Sequence, residues 1–182
     1  MKQKLYLTLL CVLIILMAGC GKQSSTPGKN TSPTSQVTTS SPNAPVDPSK
    51  DQANAYYTLF LQLYDTDNAL NANCKYIVLD LSRAKLASKE PLIVLMTDFC
   101  KAHDCTLLLD TYSGLEEKGY IKSLTFEEGI LISFEDKSLS QNELVTSAQK
   151  WRSGTGAIGA QYTVRKKDNK WTIVNSTGFW IS

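Results

Sequence analysis

The sequence predicts an α+β domain, with N-terminal helices packed on a C-terminal antiparallel sheet of four to five strands. Three observations predict it. Apolar residues recur at helical spacing in the first half, as Ala53, Tyr56, Phe60 and Leu63, then as Leu92, Leu95, Met96 and Phe99. From Leu144 onward, segments 144–151, 157–165 and 171–181 are rich in β-branched and aromatic residues or alternate apolar with polar. Asp168-Asn169 between the last two suits a two-residue hairpin turn. Helices followed by an antiparallel sheet define the class.

The chain begins with a different kind of segment. Lys2 and Lys4 precede an almost wholly apolar run from Leu5 to Met17, and Ala18, Gly19 and Cys20 follow. The run has the length of a secretory signal's apolar region and is short for a membrane span of about 20 residues. The competing reading is an uncleaved membrane helix with a chance cysteine. Leu16-Met17-Ala18-Gly19-Cys20 resembles the lipobox of bacterial lipoproteins. The resemblance implies cleavage before Cys20, diacylglycerol on its thiol and an extracytoplasmic protein held to the cell membrane. Each buried methylene of the lipid contributes about 0.8 kcal/mol, so more than one acyl chain makes a stable anchor. The expected layout is a signal peptide over 1–19, a lipidated tether over 20–49 and one domain over 50–182.

The tether is Ser, Thr, Pro, Asn and Gln with almost no large apolar residue, and it holds Pro27, Pro33, Pro42, Pro45 and Pro48. Such a composition cannot bury enough surface to offset its ordering entropy, so it is expected to stay extended and to lift the domain off the membrane. Its Ser/Thr/Pro character suits a Gram-positive surface. Gly21 is not the aspartate that retains lipoproteins at an inner membrane. The formal charge is +2, and removing Lys2 and Lys4 leaves the mature chain neutral. Nucleic-acid binding wants a basic face, so that class is set aside.

Ser49 and Gln52 read as a capping box opening the first helix. Asp65-Thr66-Asp67-Asn68 invites a calcium loop, but Ala69, Leu70 and Tyr76 stand where ligands and the turn glycine belong. A polar turn through Asn71 and Asn73 is expected instead. Lys75–Leu81 reads as a strand. Ser88 is a candidate N-cap, with Pro91 in the first turn of a helix ending near Ala102. Thr106–Lys118 reads as a helix stopped by Gly119, although 106–110 alone also reads as a strand. Residues 120–126 and 130–134 are expected to pair as a hairpin through Glu127-Glu128-Gly129.

Placing the last turn at Asp168-Asn169 sets Lys167 against Lys170, Val164 against Ile173 and Ile158 against Phe179. One face then carries Ile158, Ala160, Tyr162, Val164, Trp171, Ile173 and Phe179, which is expected core. The other carries Ala157, Gly159, Gln161, Thr163, Arg165, Val174, Ser176 and Trp180. On it Gln161, Thr163, Arg165 and Trp180 are the candidate ligand face, unless a helix covers them.

The closing hairpin, Y-T-V-R-K-K-D-N-K-W-T-I-V, resembles the last strands of cystatin-type cone domains of the nuclear transport factor 2-like superfamily. That resemblance implies a cone with a cavity. G-L-E-E-K-G-Y-I over 114–121 resembles the helix-to-wing junction of winged-helix proteins, implying an alternative core with an added C-terminal hairpin. K-Y-I-V-L-D-L-S and K-W-R-S-G-T-G-A-I-G are similar to segments of small lipoproteins labelled as peptide ABC transporter substrate-binding components. The chain is far shorter than the usual two-lobed receptor.

Gly154, Gly156 and Gly159 match G-x-G-x-x-G, but a β-rich run follows instead of a helix, so bent or bulged strand is expected and no cofactor. Cys100, His103 and Cys105 form C-x-x-H-x-C. With a single histidine in the chain, zinc is not assigned; buried free thiols are the plainest reading of Cys74, Cys100 and Cys105, and Cys100–Cys105 is the preferred pair for a disulfide in an oxidising compartment. The pairs Glu116-Glu117, Glu127-Glu128 and Glu135-Asp136 fall at expected turns or element ends, where charge is solvated, so no catalytic residue is assigned. Trp151, between Lys150 and Arg152, is expected to be half-buried. The reading that follows is a non-catalytic, membrane-anchored binding domain for a protein or envelope partner. Small-solute or peptide binding is the alternative, and an envelope enzyme ranks last.

Overall fold

The structure is a computed structural model that describes residues 47–182. The signal segment, Cys20 and the tether up to residue 46 lie outside the described residues. Among the described residues no helix is long and apolar enough to cross a membrane.

Helix α1 spans Pro48–Asp65. Its cap is Asp47, whose carboxylate accepts from the Ser49 N–H at 3.0 Å, two residues upstream of the expected Ser49–Gln52 box. Pro48 explains the shift: at the first helical position its missing N–H leaves no orphan donor, and its ring presets the helical φ. Ala53, Tyr56, Leu59, Phe60 and Leu63 are all fully buried. Burial of each large side chain among them contributes about 1.5–3 kcal/mol.

A 3-10 turn over Asn68–Asn71 leads into strand β1, Tyr76–Arg83. Helix α2 covers Glu90–Ala102 with Lys89 at its N-cap, not Ser88, and Pro91 in its first turn. Strand β2, Thr106–Leu109, then pairs in parallel with β1, with Ile77 opposite Leu107. Helix α3 is only Tyr112–Glu117. The single helix expected over 106–118 is therefore a strand and a short helix. Thr111 breaks the two apart by capping α3 through its hydroxyl, which accepts from the Gly114 N–H at 3.1 Å. Gly119 ends α3 as expected. With φ of +75°, it lets its own N–H reach the Glu116 carbonyl and that of Tyr120 reach Leu115.

Residues 120–126 form turns, with Ser123 and Leu124 both at positive φ, and make only isolated bridges. The expected hairpin with 130–134 does not form. Strand β3, Gly129–Leu139, instead runs parallel to β1 and antiparallel to β4, Glu143–Ser153. The segment 75–118 is thus a parallel strand-helix-strand unit ending in a short helix, not the helix and wing of the alternative core. Strands β5, Gly156–Lys167, and β6, Lys170–Ile181, complete a six-stranded sheet in the order β2-β1-β3-β4-β5-β6. The α+β class stands, with four antiparallel strands at the C-terminal end and two parallel strands beside them.

Val164 pairs with Ile173 and Lys167 with Lys170, as the turn at Asp168-Asn169 predicts. Irregularities between Thr163 and Val164 and between Gly159 and Gln161 then each shift the register by one residue. Ile158 therefore meets Ile181, and Phe179, expected in the core, is 55% exposed. Two one-residue shifts restore parity, so Trp180 stays on the second face.

Helices α1 and α2 cover the first face of the sheet, where Ile77, Leu79, Ile130, Ile132, Phe134, Leu144, Ala148, Tyr162 and Val164 are buried with them. On the second face Leu115 of α3, Ile121 and Phe126 make a smaller cluster with Val78 and Leu131.

Candidate functional site

Beyond that smaller cluster the second face is open. Two rows of side chains cross it, one residue per strand. The first runs Asp80, Ser133, Gln149, Gly159, Trp180 from β1 to β6. The second runs Arg83, Glu135, Ser147, Gln161, Thr177. Together with Tyr112 and Ser113 all of them but Gly159, which lies under Trp180, line a groove of about 730 Å³. Strand alternation builds it: Ile132 and Phe134 point to the helices, so Ser133 and Glu135 point here.

Aromatic rings border it in two places. Beside the first row Tyr112 packs edge-on against Trp151 of β4, with ring centroids 5.0 Å apart, and Trp151 is half-buried as expected. At the β6 end Trp180 lies over Gly159. A Cβ at 159 would sit 2.6 Å from Trp180 Cζ2 and 2.8 Å from its Nε1, so only glycine lets the indole settle there. The role of Gly159 in the G-x-G-x-x-G run is thus packing.

The charged groups in and beside the groove are all hydrogen-bonded, one pair of them to each other. Arg83 Nη1 lies 2.8 Å from Glu135 Oε2, both exposed. Asp80 accepts from the N–H and hydroxyl of Ser82 at 2.9 and 2.6 Å. Lys137 donates to Gln161 Oε1 at the lip. Of the four residues expected on the ligand face, Gln161 and Trp180 line the groove. Thr163 and Arg165 lie beyond it, Arg165 engaged with Glu143 at 2.5 Å.

No family model, curated protein or solved structure matches this chain. The groove's chemistry must therefore be read from its own residues.

Asp80, Arg83, Ser133, Glu135, Ser147, Gln149 and Tyr112 are lining residues that the sequence reading missed. A strand read only as far as Phe134 leaves Glu135-Asp136 at an element end. Continuing the alternation to Leu139 would have put Ser133 and Glu135 on one face. The same slip concealed Asp136, which is buried on the helix side, not solvated. Asp136 accepts from the Tyr56 hydroxyl and, at 2.6 Å, from the Lys85 N–H. Burial first, then the hydrogen bond and charge of Asp136, hold Tyr56 well above its usual pKa.

Lys150 is a second unforeseen feature. It is fully buried on the helix side of β4. Its ammonium donates to the carbonyls of Tyr64, Thr66 and Asp67 at 3.2, 2.5 and 3.0 Å, and to Asn71 Oδ1 at 3.1 Å. The stretch that resembles a calcium loop thus has its oxygens turned onto a protein cation. Burial pushes the Lys150 pKa down to about 8, and the charges of Asp67 and Asp65 oppose the fall. Arg152, two residues on, clamps the same loop through Leu70 and Ala72 carbonyls at 2.7 and 2.6 Å.

Cys74, Cys100 and Cys105 are thiols in this structure. Burial pushes all three thiol pKa values up. Cys100 rises furthest, with Cys105 adding to burial. His103 stacks on Phe99 at 4.0 Å. Among the described residues no group of three His, Cys, Asp or Glu is arranged to hold a metal.

Proposed function

We propose that this chain is a membrane-anchored, extracytoplasmic lipoprotein, held through lipid on Cys20, whose α+β domain is a non-catalytic binding module. The groove on the second sheet face is the ligand site. The observation that carries this reading is the groove itself. Two polar rows cross five strands, with Tyr112 beside them and Trp180 at the β6 end, on a face left bare by the helices. A concave site with convergent polar groups is the usual form of a small-ligand site. Binding is favoured over reaction because the groove's carboxylates are tied to Arg83 and Ser82.

Native mass spectrometry of the full-length lipoprotein, extracted from its own host's membrane, tests the reading. A retained small molecule whose loss follows Gln149→Ala supports it. A clean apo mass, with no ligand-dependent change on adding envelope extracts, removes it. Cys20→Ala is expected to abolish labelling by radioactive palmitate and to release the protein from the membrane. Labelling that persists would remove the anchor.

A second reading, docking of a protein partner, is favoured by the edge strand β6. Val174, Phe179 and Ile181 there are 49%, 55% and 66% exposed. Crosslinks from β6 to one envelope protein, absent in Phe179→Ser, would favour it over the groove.

A further inference from the structure

We propose that the groove takes a neutral, hydroxyl-rich oligosaccharide lying across the strands, with one ring on Trp180. The inference rests on the groove being the ligand site. Four observations support it.

The first is the platform. Trp180 is 41% exposed, with its indole seated on Gly159 and the remaining surface turned outward. The C–H face of a hexose ring is apolar while its rim is polar. An aromatic ring takes the face and leaves the rim to neighbouring side chains.

The second is the kind of polar group. Ser133, Ser147, Gln149 and Gln161 all lie in the two rows beside that platform. Hydroxyls and carboxamides both donate and accept, as sugar hydroxyls do, so either polarity of contact can be met.

The third is charge. Among the lining residues Asp80 and Glu135 stand against Arg83, which is paired with Glu135, so a phosphate or sulfate polymer meets no cationic surplus there; Lys137 keeps its charge at the lip. An extended peptide is disfavoured too, because β3, β4 and β5 are paired on both sides. A peptide laid across this face would find no free ladder of backbone N–H and C=O groups.

The fourth is length. Five strands at about 4.8 Å spacing give a row about 19 Å long, enough for several linked rings in line. The volume of about 730 Å³ suits a ligand of that size.

The test uses the full-length lipoprotein in a detergent without a sugar head group. It is titrated with the β-1,4-linked tetramers of N-acetylglucosamine and of glucose, followed by calorimetry and tryptophan fluorescence. Saturable binding with a fluorescence change is expected for at least one. Trp180→Ala is expected to weaken it at least about tenfold, the range of losing one stacked aromatic contact. Gly159→Ala, which displaces the indole, should weaken it as well, and adding it to Trp180→Ala should do nothing further. Gln149→Ala gives an independent reading that leaves the platform in place and is expected to weaken binding several-fold. Preference for the N-acetylated tetramer points to wall glycan and preference for the other to a free sugar; both support the class.

No saturable binding of either tetramer at millimolar concentration overturns the proposal, as does binding that survives Trp180→Ala. The groove reading is judged separately. A retained molecule of another chemistry, lost in Gln149→Ala, leaves the groove as a ligand site and removes only the oligosaccharide.

Discussion

Beneath α1 and α2 the sheet presents Ile77, Leu79, Ile132 and Phe134, all buried. From the intervening positions the same strands present Asp80, Ser133 and Glu135 to a groove. The backbone of each strand is shared by the two faces, and only the parity of the residue differs. What separates them is the length of helix available. Eighteen residues of α1 and thirteen of α2 close one face, whereas six residues of α3 close only part of the other. Stability should therefore reside on the helix face and recognition on the open one. Each substitution below tests that division.

The largest effect is expected at Phe60, which is fully buried and packs edge-on against Phe99 at 4.8 Å. Phe60→Ala should cost about 3–5 kcal/mol in chemical denaturation, through lost burial and the cavity left behind. It should leave groove affinity unchanged wherever the variant is folded. A loss below about 1 kcal/mol would break the assignment of stability to that face.

Lys150→Met comes next. It keeps the volume but removes the donor from three carbonyls and an amide oxygen, with an expected loss of about 3 kcal/mol near pH 7. The pH dependence has a definite sign. Folding lowers the lysine's pKa from 10.5 to about 8, so the unfolded chain holds the proton more tightly. The folded state is penalised most below pH 8, and the penalty fades as pH rises through 8 towards 10.5. The stability difference between wild type and Lys150→Met should therefore widen over that window. Denaturation curves of both proteins at pH 7 and pH 10 decide it, and a difference that narrows refutes the buried-cation account.

Which parts of this division can be read in the sequence depends on whether the signal is local. The α1 stripe, the Gly119 stop and the turn at Asp168-Asn169 follow from neighbouring residues, and all three form as the pattern predicts. Thr106–Leu109 carries three leucines in a row, which satisfies helix and strand alike, and only pairing with β1 decides for strand. Residues 120–126 alternate, yet they have no free strand to join once β1 and β4 flank β3. The groove was legible at Gln161 and Trp180 because a hairpin register fixes both. It was not legible at Asp80 or Arg83, which reach it through parallel pairing across more than forty residues of chain. Lys150 reads as a surface cation in any local window, and the oxygens that make its burial tolerable lie about 80 residues away.

A third test stays on the helix side, where Cys100 closes α2 and Cys105 precedes β2. In protein exported to an oxidising compartment, non-reducing peptide mapping is expected to find Cys100 joined to Cys105 and Cys74 alkylatable. Closing so short a loop should add about 2 kcal/mol by the chain-entropy account, lost in Cys105→Ser. Three alkylatable thiols would remove the disulfide and leave the packing as found.

The smallest effects on stability are expected on the open face, and there smallness carries the argument. Gln149 and Ser147 are part-exposed, and neither makes a side-chain hydrogen bond to the described residues. Their replacement by alanine should change stability by no more than about 0.5 kcal/mol, as for surface positions outside any network. Natural sheets often cover such a face or fill it with long charged side chains. Here Ser133, Ser147, Gln149 and Gln161 are short or neutral, and Gly159 lets the Trp180 indole lie flat on the sheet. If Gln149→Ala and Ser147→Ala leave the denaturation midpoint in place while weakening binding of the native ligand, the two faces are separable in function as in structure. A loss of 2 kcal/mol or more from either would mean that this face also holds the fold together, and the case for a free binding surface would fall with it.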